Sequence, residues 1–231
     1  MSNYLIIGGS SGIGLQLAQQ LSTTHQVFAT YHQNPVNSNT DSLKYTSFDV
    51  LNEDLNLDFL PDVLDGIVYC PGSIQLKPFN RIKPDLFVKD FELQVVGAIK
   101  IIQAVLPRLK KSTQASIVLF STVAVQSGYN FHSLVSTSKG AIEGLTKSLA
   151  AEFAPKIRVN CIAPSLTDTP LAANLLNTED KKSANAQRHP LKQLGRPEDS
   201  ANMAEFLLTE KASWITGQIF HVDGGMSTLK V

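Results

Sequence analysis

Glycines and serines near the start of the chain are spaced so that they could bind phosphate. The apolar run YLII ends at Ile7, the stretch GGSSGIG occupies residues 8–14, and an apolar-periodic segment, LQLAQQL, follows. A strand that breaks at glycines and restarts as a helix directs backbone N–H groups and the positive end of a helix dipole at one point. The sequence therefore predicts a site for the pyrophosphate of a dinucleotide at this turn.

The glycines and serines of this turn have separate expected roles. Gly8 permits the tight turn, Gly12 lets the backbone approach the phosphates without a Cβ, and Gly14 allows the helix to pack on the strand. Ser10 and Ser11 add hydroxyl donors. The alternative is a plain structural turn, because glycines also join ordinary strands and helices.

The end of the expected second strand bears on which dinucleotide binds. The segment QVFATYHQN reads as a strand that ends near Tyr31. In dinucleotide-binding folds an acidic residue at this point binds the ribose hydroxyls and would repel a 2′-phosphate. Tyr31 and His32 carry no acid, which favours NADP over NAD, with His32 as a candidate neighbour of the phosphate. His32 as an ordinary loop residue is the equal alternative, since the usual arginine is missing.

Further apolar runs must supply the sheet that positions this turn. Strands that alternate with helical segments predict an α/β fold, a Rossmann-type doubly wound parallel sheet of about seven strands with helices on both faces. The later strands are expected in TSFDV (46–50), LDGIVYC (64–70), SIVLF (116–120), KIRVNCIAP (156–164) and ASWITGQIFHV (212–222).

The segments between strands differ in helical character. Apolar residues recur every three or four positions over residues 83–109, which predicts one long packing helix. Residues 34–46 contain proline, asparagines and serines, so a long helix is not expected there. Residues 49–65 leave room only for a short one. We therefore expect some helices of this fold to be shortened.

Composition limits the class of protein. The 231 residues fit one domain, residues 1–231. The chain carries 20 basic and 20 acidic side chains, so we expect neither nucleic acid nor a membrane as partner. There is no signal-like segment before the first strand, and no apolar run approaches ~18 residues, which predicts a cytoplasmic protein. Cys70 and Cys161 fit reduced, buried thiols, and no metal-ligand spacing is present, so no metal is expected.

These motifs together resemble the short-chain dehydrogenase/reductase family, whose phosphate turn reads T-G-x-x-x-G-[IL]-G. Ile13 fits that pattern, while Ile7 stands where threonine is usual. The strings SKGAIEGLTKSLAAE, GRPED and WITGQIFHVDGG also match, so the resemblance runs from Ile7 to Gly225. It implies an NAD(P)-dependent oxidoreductase acting on a small carbonyl, alcohol or conjugated alkene. Relatives commonly form dimers or tetramers, so a homodimer or homotetramer is expected.

The resemblance also implies which residues react, and most of them are changed. Lys139 matches the family's catalytic lysine, which binds the nicotinamide ribose and lowers the pKa of a tyrosine one helical turn earlier. That earlier position is Val135 in this sequence. The supporting serine falls on Thr122, with Ser121 next to it, and the water-binding asparagine falls on Gln94. Only the lysine of the set is retained, so a standard proton donor is missing.

Other groups could supply the proton. His132 lies seven residues before Lys139, the offset at which the related enoyl reductases place their tyrosine, and a histidine titrates near neutrality. Tyr129 lies three residues further back and is a second candidate. Water could also protonate an enolate formed from a conjugated alkene.

Further cofactor contacts are carried over from the family. The Asp–hydrophobic pair beside the adenine corresponds to Asp49 and Val50. The family's N-N-A-G is here YCPG, residues 69–72, so Pro71 and Gly72 would keep only the backbone path past the cofactor.

The nicotinamide loop P-G-x-x-x-T is here PSLTDT, from Pro164 to Thr169. Thr169 would meet the carboxamide and Thr167 would offer its backbone, while Ser165 replaces the glycine. Residues 171–192 correspond to the family's substrate lid.

Two functions follow from these residues. The first is an oxidoreductase with a non-standard proton donor. The second is a catalytically impaired nucleotide-binding protein that acts as a sensor, scaffold or partner subunit, which the loss of the tyrosine, serine and asparagine would explain.

Overall fold

Seven parallel strands form one sheet in a computed structural model that describes residues 1–36 and 38–230. The strand order is β3-β2-β1-β4-β5-β6-β7, and every neighbouring pair is parallel. The predicted fold class is confirmed. The strands are β1 (Asn3–Ile7), β2 (Gln26–Tyr31), β3 (Leu43–Ser47), β4 (Gly66–Tyr69), β5 (Ala115–Phe120), β6 (Ile157–Pro164) and β7 (Ile219–Val222).

Helices cover both faces of this sheet. They are α1 (Gly12–Leu21), α2 (Pro84–Phe91), α3 (Gly97–Leu109), α4 (Ala124–Ser127), α5 (Ser133–Phe153), α6 (Glu179–Arg188) and α7 (Pro197–Leu208). Alternate strand residues pack on opposite sides: Leu5 joins the core under α3 and α5, whereas Ile6 joins the core under α1 and α7. Burial on both sides explains why the strands read as continuous apolar runs.

The third strand begins earlier than the sequence predicts. We expected it at 46–50, but β3 spans Leu43–Ser47. Its pairing with β2 runs from Val27↔Leu43 to Tyr31↔Ser47, so it ends where β2 ends. The residues after it, including Asp49, therefore lie beyond the sheet edge.

The shortened connections contain less helix than a crossover of this fold usually has. Residues 49–65 form turns and bends instead of a short helix, and the described residues between 32 and 42 are also without one. Phe48, Val50, Leu57 and Leu60 are buried in the α3/α5 core. Individual apolar side chains thus cover the sheet where a helix would otherwise lie.

The predicted long helix over 83–109 is interrupted by a π-helical turn at Glu92–Val96 between α2 and α3. Such a turn widens the ring of backbone hydrogen bonds and disturbs the normal pairing of carbonyl groups. The buried Tyr69 hydroxyl donates to the carbonyl oxygen of Leu93 at 2.6 Å. A Cβ at Gly97 would collide with that hydroxyl. Tyr69 and Gly97 therefore fit together around the turn.

The loops that follow β1 to β6 all emerge at the carboxyl edge of the sheet, because the strands are parallel. β1 lies between β2 and β4, so the direction of winding reverses there. In open α/β sheets, ligands bind outside the strand ends at such a reversal.

Within residues 1–36 and 38–230, no helix has both the length and the apolarity required to span a bilayer.

Replacing Tyr69 by phenylalanine tests the packing around the π-helical turn. The change removes the hydroxyl that donates to the Leu93 carbonyl. We therefore expect the free energy of unfolding to fall by about 1–3 kcal/mol. Urea unfolding followed by circular dichroism measures it. Tyr45→Phe, on the edge strand, is the matched control and should change stability by less. Equal effects of the two substitutions would contradict the role assigned to the Tyr69 hydroxyl.

Candidate functional site

A cleft of about 710 Å³ opens at the carboxyl edge of the sheet, within the range of ligand-binding pockets. It brings together all the predicted site residues except Tyr31, which is half-buried at the end of β2 and does not line the cleft. The predicted residues that line it are Gly8, Ser10, Ser11, Gly12, Ile13, Gly14, His32, Asp49, Val50, Pro71, Gly72, Ser121, Thr122, His132, Lys139, Pro164, Thr167 and Thr169.

The glycine turn is fastened to β2 by its first two backbone amides. Gly8 N donates to the Thr30 hydroxyl at 3.1 Å, and Gly9 N donates to the Thr30 carbonyl at 2.8 Å. Gly8 and Gly12 have φ angles of +77° and +52°, which favour glycine. A Cβ at Gly12 would lie 3.3 Å from Thr169, so glycine also permits close approach there.

The first turn of α1 is suited to an anion. Ser11 precedes the helix in an extended conformation and makes no side-chain capping hydrogen bond, and the first helical turn contains no acidic residue. The amides at this helix end therefore have neither a side-chain cap nor a competing carboxylate. A Cβ at Gly14 would collide with the carbonyl of Gly8, which explains the glycine in the packed part of the turn.

Lys139 projects from α5 to the end of β5. Its Nζ donates to the carbonyl oxygen of Phe120 at 2.8 Å. Burial lowers the pKa of Lys139 to about 8, against the opposing influence of Cys161, Asp90 and Cys70. The side chain can therefore exchange a proton closer to neutrality than an exposed lysine does.

A buried carboxylate that the sequence analysis did not identify lies behind Lys139. Asp90 accepts hydrogen bonds from Ser73, from Gln94 Nε2 at 2.7 Å and from Ser138 Oγ at 2.6 Å. The only sequence signal was an acid inside the apolar pattern of a helix. These three hydrogen bonds hold the Asp90 carboxyl group in one position, and two of the donors, Ser73 and Gln94, line the cleft.

Gln94 leaves one polar atom free at the cleft. Its Oε1 is buried and has no hydrogen-bond partner among the described residues. A Cβ built on Gly72 would lie 3.3 Å from that oxygen and 3.6 Å from Lys139 Nζ. The free acceptor and the ammonium group thus face the same small space, where a water molecule could join them.

The two neighbouring hydroxyls after β5 have different partners. Ser121 is buried, and its hydroxyl donates to Glu143 Oε1 at 2.6 Å. The Thr122 oxygen accepts from Ala124 N at 3.3 Å, which leaves its own proton to donate. Thr122 is therefore the one of the two that can offer a hydrogen bond to a ligand in the cleft.

Val135 lines the cleft one helical turn before Lys139 and is 6% exposed. Its side chain can supply neither a proton nor a hydrogen bond.

His132 and Tyr129 lie on the loop before α5, and both line the cleft. Nδ1 of His132 is 2.8 Å from the carbonyl oxygen of Asn130. Because a carbonyl oxygen only accepts, Nδ1 carries the proton in the neutral ring. Phe131, between these residues, has a φ of +71°, a conformation that a bulky side chain rarely adopts.

The loop after β6 carries a polar contact that sequence reasoning missed. Thr167 and Thr169 bond to backbone oxygens of their own loop, Thr167 to Ser165 O at 3.0 Å and Thr169 to Thr167 O at 3.4 Å. The Ser165 hydroxyl lies 2.8 Å from Nε2 of His189, which is 3% exposed and lines the cleft. A serine in place of glycine was the only signal in the sequence.

The predicted lid, residues 171–192, follows this loop as a 3₁₀ helix (Pro170–Leu175) and α6. Leu171 and Leu175 line the cleft, whereas Leu176 is buried and does not line it. Lys182 on α6 forms an ion pair with Asp168 at 3.1 Å, which connects the lid to the loop after β6.

At the opposite end of the cleft, Nε2 of His32 lies 3.7 Å from an Asp49 carboxylate oxygen. An acid is thus present beside the end of β2 after all, contributed by the segment after β3. In the described part of the chain, no group of three or more His, Cys, Asp and Glu side chains is arranged to bind a metal ion.

The chain is similar to known proteins over most of its length. A family model described as enoyl-(acyl carrier protein) reductase matches residues 8–227. The human dehydrogenase/reductase SDR family member 4 is 29% identical over 238 residues, covering 96% of this chain and 86% of that protein.

Solved structures agree with this result. The ligand-free aldohexose dehydrogenase of Thermoplasma acidophilum superposes with a TM-score of 0.91 at 26% identity, covering 99% of this chain and 95% of that one. ElxO with NADP bound gives a TM-score of 0.86 at 26% identity, covering 99% of both chains. A tyrosine-to-phenylalanine variant of ElxO with NADPH bound gives 0.85 at 25% identity, again with 99% of both chains covered.

The lowered pKa of Lys139 predicts a pH dependence of stability. Above pH about 8 the folded chain releases this proton, whereas the unfolded chain keeps it to about pH 10.4. Folding therefore becomes more favourable as the pH rises through this window. We expect the free energy of unfolding of wild type, minus that of Lys139→Met, to increase from pH 8 to pH 10 in urea titrations.

The exposed Lys147 on the same helix provides the control. The same difference taken with Lys147→Met should stay nearly flat, and a flat curve for Lys139→Met would show that its pKa is not depressed.

Proposed function

Because the chain belongs to the short-chain dehydrogenase/reductase family, we propose that it is an NAD(P)-dependent oxidoreductase. Its substrate would be a small carbonyl, alcohol or conjugated alkene. The observation that carries the proposal is that the glycine turn and Lys139, which come from distant parts of the chain, line one cleft.

The residues of the cleft fit a nicotinamide dinucleotide. The uncapped start of α1 and the glycine turn would hold the pyrophosphate. Asp49 and Val50 would contact the adenine, and Lys139 the nicotinamide ribose. Pro164, Thr167 and Thr169 would contact the carboxamide, with Pro71 and Gly72 alongside. When bound, the cofactor supplies or accepts a hydride at the substrate carbon.

NADP is the preferred cofactor in this proposal. The end of β2 has no acid of its own, and the relative ElxO has been solved with NADP bound. The Asp49 carboxylate would repel a 2′-phosphate, and His32 beside it would offset that charge when protonated. NAD is the alternative if the carboxylate prevails.

The chain itself would orient the substrate and provide a proton. The Thr122 hydroxyl would donate to the substrate oxygen, and the Lys139 ammonium would stabilise negative charge nearby. Val135 cannot act as a proton donor, so a different group must do so. His132, and after it Tyr129, are the candidates from the sequence.

A second candidate function is nucleotide binding without redox turnover, in a sensor, scaffold or partner subunit. The apolar Val135 beside Lys139 favours it. In the relative ElxO, a variant with one tyrosine changed to phenylalanine has been solved with NADPH bound, so the cofactor binds that protein without that hydroxyl.

We also propose that the chain forms a homodimer or homotetramer. Trp214 is 99% exposed, and Val88, Phe91 and Val96 form exposed apolar positions along α2 and the π-helical turn. Exposed apolar surface of this kind is typical of subunit interfaces, and sedimentation velocity would detect the assembly.

Cofactor binding tests the part that both functions share. We expect NADPH to bind wild type in calorimetric titrations, more tightly than NADH. Gly12→Ala should weaken binding about tenfold or more, since its Cβ would stand where the backbone approaches phosphate. Gly144→Ala is the matched control because a Cβ there meets open space. Absence of heat with either cofactor in wild type would refute both functions.

Turnover separates the two functions. NADPH oxidation against a panel of ketones, quinones and enones should detect activity in wild type if the chain is an oxidoreductase. Val135→Tyr puts a phenol one turn before Lys139. If the protein lacks only a general acid, this variant should oxidise NADPH faster than wild type, by about 10²-fold or more. Tight cofactor binding without turnover on any substrate in wild type would favour the second function.

A further inference from the structure

Ser165 and His189 form a polar pair that the function above does not use. The Ser165 hydroxyl is 2.8 Å from Nε2 of His189, and Nδ1 of His189 is 2.9 Å from the carbonyl oxygen of Asn185. Since that carbonyl can only accept, Nδ1 carries the proton, and Nε2 of the neutral ring accepts from Ser165. A third group thus fixes the base, as it does in serine–histidine pairs that transfer protons.

The pair lies beside the hydroxyl expected to bind the substrate oxygen. Val123 N donates to the Pro164 carbonyl at 3.2 Å. Thr122 directly precedes Val123, and Ser165 directly follows Pro164. Thr122 and Ser165 are therefore neighbours at the ends of β5 and β6. Both line the same cleft as Lys139. Ser165 can reach a substrate oxygen from the side next to Thr122.

His189 and His132 lie at opposite kinds of helix end, whose partial charges differ in sign. His189 directly follows α6, and its Nδ1 donates to a carbonyl of the last turn. The carboxyl end of a helix carries partial negative charge, which stabilises a positive imidazolium. His132 directly precedes α5, where the helix end has the opposite partial charge. His189 is the better placed of the two.

The charged residues on the neighbouring segments are Arg188, Lys192 and Asp223. Lys192 Nζ donates to the Gln187 carbonyl, and the Asp223 carboxylate accepts from Ser227. Within the described part of the chain, none of the ion pairs involves His189. Among the described residues, no carboxylate therefore lies within ion-pair distance of the His189 ring.

We propose that Ser165 and His189 form the proton relay that replaces the family's tyrosine, an inference that rests on the oxidoreductase function proposed above. In reduction of a ketone, the carbon gains hydride from the reduced cofactor and the C=O electron pair moves to oxygen. The Ser165 O–H bond breaks as its proton passes to that oxygen. The Nε2–H bond of the His189 imidazolium breaks and restores the serine hydroxyl. The neutral imidazole then regains a proton from water, and oxidation of an alcohol runs in reverse.

Ser165→Ala and His189→Gln test the relay with the substrate on which wild type is most active. Each should lower kcat/KM about 10²-fold or more, and the double variant should be no slower than the slower single one, because the two residues act as a unit. His189→Gln should also flatten the limb of the pH–rate profile that reports imidazole protonation. Calorimetry in parallel should show a much smaller change in cofactor affinity.

Rescue distinguishes proton transfer from a structural role. Val135→Tyr in the Ser165→Ala background should restore turnover, since a phenol beside Lys139 supplies the missing proton. A loop that had merely lost its shape would not be repaired from α5. Ser165→Gly, which introduces the family's residue, should behave like Ser165→Ala and be rescued in the same way.

Nitrogen-15 NMR of the histidine rings gives a readout without cofactor. In the neutral ring of His189, Nδ1 should be protonated and Nε2 bare, and the Nε2 resonance should move in Ser165→Ala. His25 precedes β2 at the opposite edge of the sheet, and its resonances should not move. A ring protonated on Nε2 when neutral would overturn the relay.

The remaining outcomes separate the relay from the function on which it rests. Turnover and a pH profile that survive in Ser165→Ala and His189→Gln, but are lost in His132→Ala, would overturn the relay and leave the oxidoreductase function standing. If wild type fails to oxidise NADPH with every substrate tested, the oxidoreductase function is refuted, and the relay is refuted with it.

Discussion

The hydrogen bond from Lys139 Nζ to the Phe120 carbonyl joins α5 to the end of β5, and the geometry of the cleft depends on it. An ammonium group removed from water must find acceptors or lose its charge. This one has a single carbonyl at 2.8 Å and the more distant carboxylate of Asp90. Burial outweighs both and lowers the pKa of Lys139 to about 8, so the side chain is still mostly protonated at neutral pH but loses its proton slightly above it. In the function proposed above, its position would also determine where a ribose and a substrate oxygen lie.

The departures from the family pattern are mutually consistent in physical terms. Gln94 is longer than asparagine, and its amide nitrogen is held by Asp90 while its oxygen turns to the cleft. Ser165 occupies a position where glycine would leave His189 without its partner. Gln94 and Ser165 thus each have a hydrogen-bond partner, Asp90 and His189. Val135 places no phenol one turn before Lys139, whereas Gln94 and Ser165 place polar groups on other walls of the same cleft.

Much of the fold could be predicted from the sequence because the physical signals are local. Continuous apolar runs, glycine at the first turn and alternating helical periods are enough for a parallel sheet. The start of β3 could not be found in this way, since Leu43 and Tyr45 alternate with polar residues as on an edge strand, and pairing with β2 decided the register.

The cofactor-binding residues were predicted from motif spacing and from the family resemblance. All of them except Tyr31 line the cleft. The contacts of Asp90 and of His189 could not be predicted, because each joins segments far apart in the chain. Asp90 bonds to Ser138, and His189 to Ser165. A single sequence carries no signal for such pairs beyond an unusual residue type at each end.

The two helix-poor crossovers around β3 have a consequence for how this architecture can vary. Phe48, Val50, Leu57 and Leu60 keep that flank of the sheet dry without the regular hydrogen bonding of a helix. Chain length at the β3 flank is thereby uncoupled from the arrangement of β4, β5 and β6, whose ends carry the Lys139 side of the cleft. Deletions and insertions in the segments around β3 can therefore occur without changing the distances between the residues at the ends of β4, β5 and β6.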